Sequence, residues 1–229
     1  MSNKKKVFIK TYGCQMNQYD SEKVVLDLEK NHYEQTGDIQ EADMVLLNTC
    51  NIREKAAEKV YSELGRIKKF KDHNNDLKIG VTGCVAQAES LEIFDRQPAV
   101  DFIVGPQSYH KFPDIISKLK DGKRNIIETS FEASDKFKGI ASLTGTPKPS
   151  AFVTIQEGCD KFCTFCVVPY TRGKEVSRSQ NDILSEIKES AKKGVKEVIL
   201  LGQNVNSYNF EGISFSSLIY SIAEIDEIK

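Results

Sequence analysis

Short apolar runs ending in glycine or cysteine constrain this chain more than any other feature. VFIKTYGC (residues 7–14), MVLLNTC (44–50) and KIGVTGC (78–84) are too short for buried helices and rich in aliphatic residues. They read as strands, and FIVGP (102–106) supplies a fourth. Helical patterns alternate with them. One begins at Asp20 or Ser21 as N-cap and aligns Val24, Val25 and Leu28. A longer one repeats Ala57, Val60, Tyr61, Leu64 and Ile67 at three- and four-residue steps, and a third runs from about Ser108 to Leu119. Such alternation predicts an α/β domain with a mainly parallel sheet. The carboxyl ends of parallel strands share one edge. Cys14, Cys50 and Cys84, far apart in sequence, are therefore expected to converge there, with Gly13 and Gly83 allowing tight turns.

Residues 133–150, ASDKFKGIASLTGTPKPS, lose periodicity and gain Gly, Pro, Ser and Thr, as a linker does. The expected organisation is an amino-terminal domain over 1–132, a linker over 133–150 and a second domain over 151–229. The latter opens with a strand, AFVTIQEG, that runs into a cysteine cluster. A helix follows from near Ser179 or Asn181 to Gly194, carrying Ile183, Leu184 and Ile187. A second strand, EVILLGQN, and a helix from about Ser214 complete it. Two strands and two helices cannot cover both faces of a parallel sheet. The expectation is a truncated chain whose missing part begins with another strand.

Charged residues make up 28% of the chain, but the formal net charge is −1. No global field draws it to nucleic acid or anionic lipid, so such partners must be argued from local residues. The amino terminus lacks a signal-peptide apolar region, and no window reaches membrane-spanning length. A soluble, cytoplasmic protein is expected. In that compartment six cysteines point to metal ligands or catalytic thiols rather than disulfides.

Three of them, Cys159, Cys163 and Cys166, fall within GCDKFCTFC at a C-x3-C-x2-C spacing. Iron–sulfur clusters are held by thiolates, ordinarily one per iron. Three thiolates on a four-iron cluster leave one iron with an open coordination position, where a substrate can bind and receive an electron. Zinc would want a fourth protein ligand, and His32, His73 and His110 all lie far from this segment in sequence. A redox C-x-x-C would use Cys163 and Cys166 but leave Cys159 unexplained. Taken singly, Cys14, Cys50 and Cys84 read as small buried hydrophobes. Their shared strand-end placement makes them a second set of three. Arg172, Lys174 and Arg178 are candidates for meeting phosphate or another anion, whereas Lys68, Lys69 and Lys71 suit a helix carboxyl end.

The C-x3-C-x2-C loop after a strand resembles the radical S-adenosylmethionine (SAM) superfamily. The segments TYGCQMNQYDSEK, LLNTCNIREKAAEKVYSELGR, GCVAQAE, DFIVGPQSYHKFPDII, GCDKFCTFCVVPYTRGKEVSRS and LLGQNVNSY together resemble its methylthiotransferase family. That resemblance implies an α/β fold: an amino-terminal parallel-sheet domain followed by the start of a partial (β/α) barrel. It implies two 4Fe–4S clusters, held by Cys14, Cys50 and Cys84 and by Cys159, Cys163 and Cys166. SAM would chelate the open iron of the second cluster and be cleaved to a 5′-deoxyadenosyl radical. Phe165 would lie beside the SAM adenine, and Gly202, Gln203 and Asn204 near its amino group, where the superfamily commonly has Gly-Gly-Glu. The plainer readings are an apolar anchor for Phe165 and a tight strand-ending turn for the other three. The implied reaction places a methylthio group on carbon 2 of N6-dimethylallyladenosine beside a tRNA anticodon, with a flavodoxin or ferredoxin-like protein as electron donor. The resemblance carries the expectation that the family's TRAM domain is absent from these residues. Two alternatives stand beside this reading. One is a relative acting on threonylcarbamoyl-adenosine or a ribosomal-protein aspartate; the other is a non-catalytic iron–sulfur or zinc-binding module.

Overall fold

A computed structural model describes residues 4–51, 54–130, 137 and 149–228. The chain divides into two compact units, Met1–Asp135 and Lys136–Lys229. Most of the expected linker, 133–150, lies outside the described residues.

In the first unit, strands β1 (Lys5–Thr11), β2 (Tyr33–Gln35), β3 (Met44–Thr49), β4 (Lys78–Gly83), β5 (Phe102–Val104) and β6 (Ile126–Glu128) form one sheet. Its order is β2-β1-β3-β4-β5-β6, and every adjacent pair is parallel. Parallel strands need helical crossovers, which cover both faces. Helices α1 (Gln15–Lys30) and α5 (Phe112–Lys120) cover one face, while α2 (Glu54–His73), α3 (Cys84–Glu89) and α4 (Glu92–Arg96) cover the other. Residues alternate across β3 as the two-residue period demands. Met44 and Leu46 pack with Val24, Leu28, Ile115 and Ile116, and Val45 and Leu47 pack with Val60, Leu64 and Ile67. Each such side chain contributes about 1.5–3 kcal/mol by burial. Every residue of β3 is buried, and its first four, Met44 to Leu47, read as a continuous apolar run before the polar Asn48 and Thr49.

The four expected strands of this unit are present, and the differences lie between them. Helix α1 begins at Gln15, not at Asp20 or Ser21. The backbone turns through Gly13 at φ +101°, and Cys14, in extended conformation, takes the N-cap position. Ser21 lies inside the helix, where its hydroxyl bonds Thr11 and Asn48 instead of capping. The third expected helix starts as a 3-10 turn, Tyr109–Lys111, before α5, whose first turn contains Pro113. Strands β2 and β6 and helices α3 and α4 span three to six residues each, too few for a periodic pattern to show.

The second unit is a strand–helix–strand framework. Strand β7 (Ser150–Thr154) leads through Ile155 to β8 (Gln156–Glu157), and the cysteine loop follows. Short helix α6 (Val168–Thr171) and β9 (Val176–Ser177) come next, β9 returning antiparallel to β8. Helix α7 (Gln180–Lys192) is capped by Ser179, whose hydroxyl accepts from the Asp182 amide at 3.2 Å. Strand β10 (Glu197–Leu201) pairs parallel with β7. The hairpin of β11 (Asn209–Phe210) and β12 (Ile213–Ser214) leads into α8 (Phe215–Ala223). Val153, Ile155, Ile183, Ile187, Leu218 and Ile222 form its core. Among the described residues, no helix is long and apolar enough to cross a membrane.

Candidate metal centres

The three strands that precede Cys14, Cys50 and Cys84 are β1, β3 and β4, neighbours in the sheet with parallel direction. Their carboxyl ends therefore lie side by side. Cys50 directly follows β3, Cys84 opens α3 directly after β4, and Cys14 follows β1 after the Gly13 turn. The backbone at Gly13 is pressed onto Cys50: a Cβ there would stand 2.2 Å from Cys50 Cβ and 2.7 Å from its Sγ. Only glycine leaves room for that thiol, and the positive φ favours glycine as well. Gly83 makes the corresponding approach to β3, where a Cβ would lie 2.4 Å from the Thr49 carbonyl oxygen. Cys50 is buried, Cys84 half-buried and Cys14 exposed, so the edge grades from interior to surface.

The other three thiols are placed locally. Cys159, Cys163 and Cys166 sit on the loop between β8 and α6, half-buried or exposed. The loop closes on itself at both ends. The Cys159 amide donates to the Gly173 carbonyl at 3.1 Å, and the Cys166 amide donates to the Cys163 carbonyl at 2.9 Å. Gly158, at φ +83°, meets the returning chain so closely that a Cβ would lie 2.0 Å from the Lys174 carbonyl oxygen. Beneath it, Arg172 donates to the Glu157 carboxylate at 2.9 Å, with both side chains under 10% exposed. Arg178 is likewise buried and paired with Glu186. These two arginines hold internal carboxylates, which corrects the expectation that they face phosphate or a cofactor carboxylate.

Gly202, Gln203 and Asn204 form the turn after β10, and two glutamines tie that turn to the cysteine loop. Gln203 accepts from the Gly158 amide through its side-chain oxygen. Gln156, fully buried, donates to the Gly158 carbonyl at 2.6 Å and accepts from the Asn204 amide at 3.1 Å. A Cβ at position 202 would stand 2.7 Å from the Gln156 Oε1. The residue before Cys159 is thus held by both strand ends. Sequence reasoning missed Gln156 and Glu157, although IQEGC placed both beside the cluster. Phe165 is 94% exposed, so the ring does not anchor the loop. Phe162, at φ +45°, packs edge-to-face on Tyr170 with ring centroids 5.9 Å apart.

Soft thiolate donors in two sets of three suit iron–sulfur chemistry, and the glycine cradle around Cys50 leaves space a side chain would fill. Among the described residues, no three His, Cys, Asp or Glu side chains gather tightly enough to hold a single metal ion. Thiolates that bind separate irons of one cluster stand further apart than donors closing on one ion.

A parallel α/β unit with thiols along its carboxyl edge is followed in the chain by a strand, a three-cysteine loop, a helix and a parallel strand. Residues 6–105 match the Uncharacterized protein family UPF0004, and residues 153–227 match the Radical SAM superfamily. Proteins named tRNA-2-methylthio-N(6)-dimethylallyladenosine synthase are similar along the whole chain. Those of Cereibacter sphaeroides and Ruegeria pomeroyi are 54% and 55% identical over 100% of this chain, which covers 52% and 53% of theirs. The synthase of Agrobacterium fabrum is 52% identical over 98% of this chain, which covers 52% of it. The chain thus spans about half the length of the curated relatives it matches. Among solved structures, a radical S-adenosylmethionine methyltransferase, TsrM of Kitasatospora setae, shares the fold. The form with tryptophan and a SAM analogue aligns with TM-score 0.65 at 11% identity, over 89% of this chain and 48% of that one. Along its whole length the chain is thus similar to synthases of this name, and its second half carries the match to the Radical SAM superfamily.

Proposed function

We propose that this chain is the cluster-bearing part of a tRNA-modifying enzyme that methylthiolates carbon 2 of N6-dimethylallyladenosine beside the anticodon. The carrying observation is the division of six thiols into two sets of three, one on a strand-end loop and one along a parallel sheet edge. The names of the relatives supply the substrate. In this reading residues 1–132 form the auxiliary domain, with Cys14, Cys50 and Cys84 holding one 4Fe–4S cluster. Residues 151–229 begin the radical SAM core, with Cys159, Cys163 and Cys166 holding the other. When bound, the second cluster supplies the electron that cleaves SAM, and a reduced flavodoxin or ferredoxin-like protein of the cytoplasm is the source of that electron.

The chemistry explains why such machinery is needed. Carbon 2 of the adenine ring bears an unactivated C–H bond with neither an acidic proton nor a leaving group, so acid–base catalysis has little purchase. In the proposed reaction one SAM would take up an electron and leave as methionine and a 5′-deoxyadenosine carrying that hydrogen. A sulfide sulfur held at the auxiliary site would bond to carbon 2, returning one electron to that site, and a second SAM would pass its methyl group to the sulfur and leave as S-adenosylhomocysteine. This chain's residues hold and orient: Gly158 and the two glutamines fix the loop that carries Cys159, and the turn at Gly202–Asn204 sits at the carboxyl end of β10, where ligands of parallel sheets gather. Phe165, exposed on the same loop, is free to stack on a planar ring such as the SAM adenine.

Anaerobic reconstitution with iron and sulfide tests the site. About eight irons per chain, with spectra perturbed by SAM, are expected for two clusters; about four cysteine-bound irons, or zinc alone, would support a binding module instead. The substrate is tested by nucleoside mass spectrometry of tRNA from a strain lacking the full-length gene. Loss of 2-methylthio-N6-dimethylallyladenosine is expected, and its retention would overturn the assignment.

A further inference from the structure

Three thiols on three strands reach one edge only if the strand ends themselves are held in register beyond the last ladder bond. One side chain sits where that constraint is needed. Asn17, in the first turn of α1, is fully buried. Its carboxamide nitrogen donates to the Tyr12 carbonyl at 2.9 Å and to the Thr49 carbonyl at 2.8 Å. Those carbonyls belong to two different strand ends, one two residues before Cys14 and the other immediately before Cys50. The carboxamide oxygen faces the Cys14 thiol, with sulfur and oxygen 3.8 Å apart.

The clamp extends to the third strand. Asn48, also buried, donates to the Asn17 carbonyl and the Ser21 hydroxyl, both at 2.8 Å, and its own carbonyl accepts from the Tyr12 amide at 2.8 Å. The Thr49 hydroxyl donates to the Thr82 carbonyl at 2.5 Å and accepts from the Val85 amide at 3.2 Å. Thr82 and Val85 flank Cys84. Buried polar groups must be satisfied wherever they occur, but a chain folding only for stability could fill this space with apolar side chains. Here the polar contacts converge on the residues next to all three cysteines.

We propose that Asn17 is a positioning residue for the sheet-edge thiols. It clamps the carbonyls of two strand ends with one carboxamide, sets Cys14 against Cys50, and, through Asn48 and Thr49, brings Cys84 into the same frame. The inference rests on the reading of Cys14, Cys50 and Cys84 as holders of one cluster. Groups that orient the residues ligating a metal typically change its affinity by 10- to 100-fold when removed.

The test uses the 229-residue chain with Cys159, Cys163 and Cys166 all replaced by alanine, so that only the sheet-edge set can bind. The parent is compared with Asn17→Ala and with Leu119→Ala, a core change on α5 away from the clamp. Asn17→Ser, which keeps a short donor, serves if the alanine variant does not fold. The first readout is metal-free: the rate at which a short bis-maleimide bridges Cys14 to Cys50, with Cys84 replaced by serine. Bridging about tenfold slower for the Asn17 variants, with Leu119→Ala at the parent rate, is expected. The second readout is iron per chain and its rate of loss to a chelator, expected to rise about tenfold in the Asn17 variants. Parent-like bridging and parent-like iron loss in Asn17→Ala would overturn the proposal, as would equal slowing in Leu119→Ala. If the parent itself takes up no iron, the cluster reading fails, and bridging alone decides whether Asn17 sets the thiols.

Discussion

The two thiol sets of this chain have the same number of cysteines and opposite construction. Cys159, Cys163 and Cys166 are near one another because the chain between them is short, and their loop is held by contacts to the chain that follows it, Cys159 to Gly173 and Glu157 to Arg172, and to the turn after β10 through Gln203. Cys14, Cys50 and Cys84 come together only because three parallel strands pair in the order β1-β3-β4. A local site is specified by spacing and needs bracing. A sheet-edge site is specified by topology and needs register. The two should therefore respond to different injuries.

The sharpest way to break that contrast is Glu157→Ala. It strands the Arg172 guanidinium in a buried position, a change that costs about 3–5 kcal/mol. Chemical denaturation of the second unit should show the loss, and iron on the loop set should fall while the sheet-edge set keeps about four irons. Simultaneous loss from both sets would refute the distinction. The converse is Leu46→Ala in β3, a buried core position, expected to destabilise the first unit by about 2–5 kcal/mol. Here the sheet-edge iron should be the more labile to chelator and the loop iron unchanged.

A smaller effect is expected from Gln203→Ala, which removes the acceptor of the Gly158 amide. An unsatisfied amide costs about 1–3 kcal/mol, so hydrogen exchange at Gly158 should accelerate. SAM affinity measured on the same variant separates bracing from ligand contact. Faster exchange with unchanged affinity assigns Gln203 to the loop alone; a fall in affinity without faster exchange assigns it to the cofactor.

The smallest effect concerns Tyr208, buried in the second unit, whose hydroxyl donates to the Arg178 carbonyl at 2.8 Å. Burial pushes its phenol from 10.0 up to about 12, against the opposing pull of the Arg178 charge. The folded chain thus keeps a proton that the unfolded chain releases earlier. That contribution to stability is intact below about pH 10 and is lost as pH rises toward about 12. Unfolding midpoints of the second unit should fall across this window, and Tyr208→Phe should flatten the slope. An unchanged slope in the phenylalanine variant would remove Tyr208 as its source.

Much of this molecule was legible in its sequence. The strands ending at Cys14, Cys50 and Cys84 announce themselves as aliphatic runs, because a sheet covered on both faces buries its centre and admits polar residues such as Asn48, Thr49 and Thr82 only where they find partners. Helices α2 and α7 are equally plain, since Val60, Leu64 and Ile67, or Ile183 and Ile187, recur at the helical period. The C-x3-C-x2-C spacing is local and is read directly from the sequence. What escaped were elements and contacts whose reasons lie elsewhere in the chain. Helix α1 starts five residues before Asp20 because the chain turns at Gly13, and Ser21 is drawn inside the helix to Thr11 and Asn48. Arg172 and Arg178 read as anion binders until their buried carboxylates are seen.

By itself, then, the order of residues determined the strand–helix alternation and the C-x3-C-x2-C spacing of Cys159, Cys163 and Cys166, since periodicity and spacing act over a few residues. Only tertiary structure decided which strands lie adjacent, that Gly13 packs directly on Cys50, and that Gln156 and Gln203 join the loop to a turn more than forty residues away. Those outcomes depend on packing and on satisfying buried polar groups between distant segments, which no short window of sequence contains.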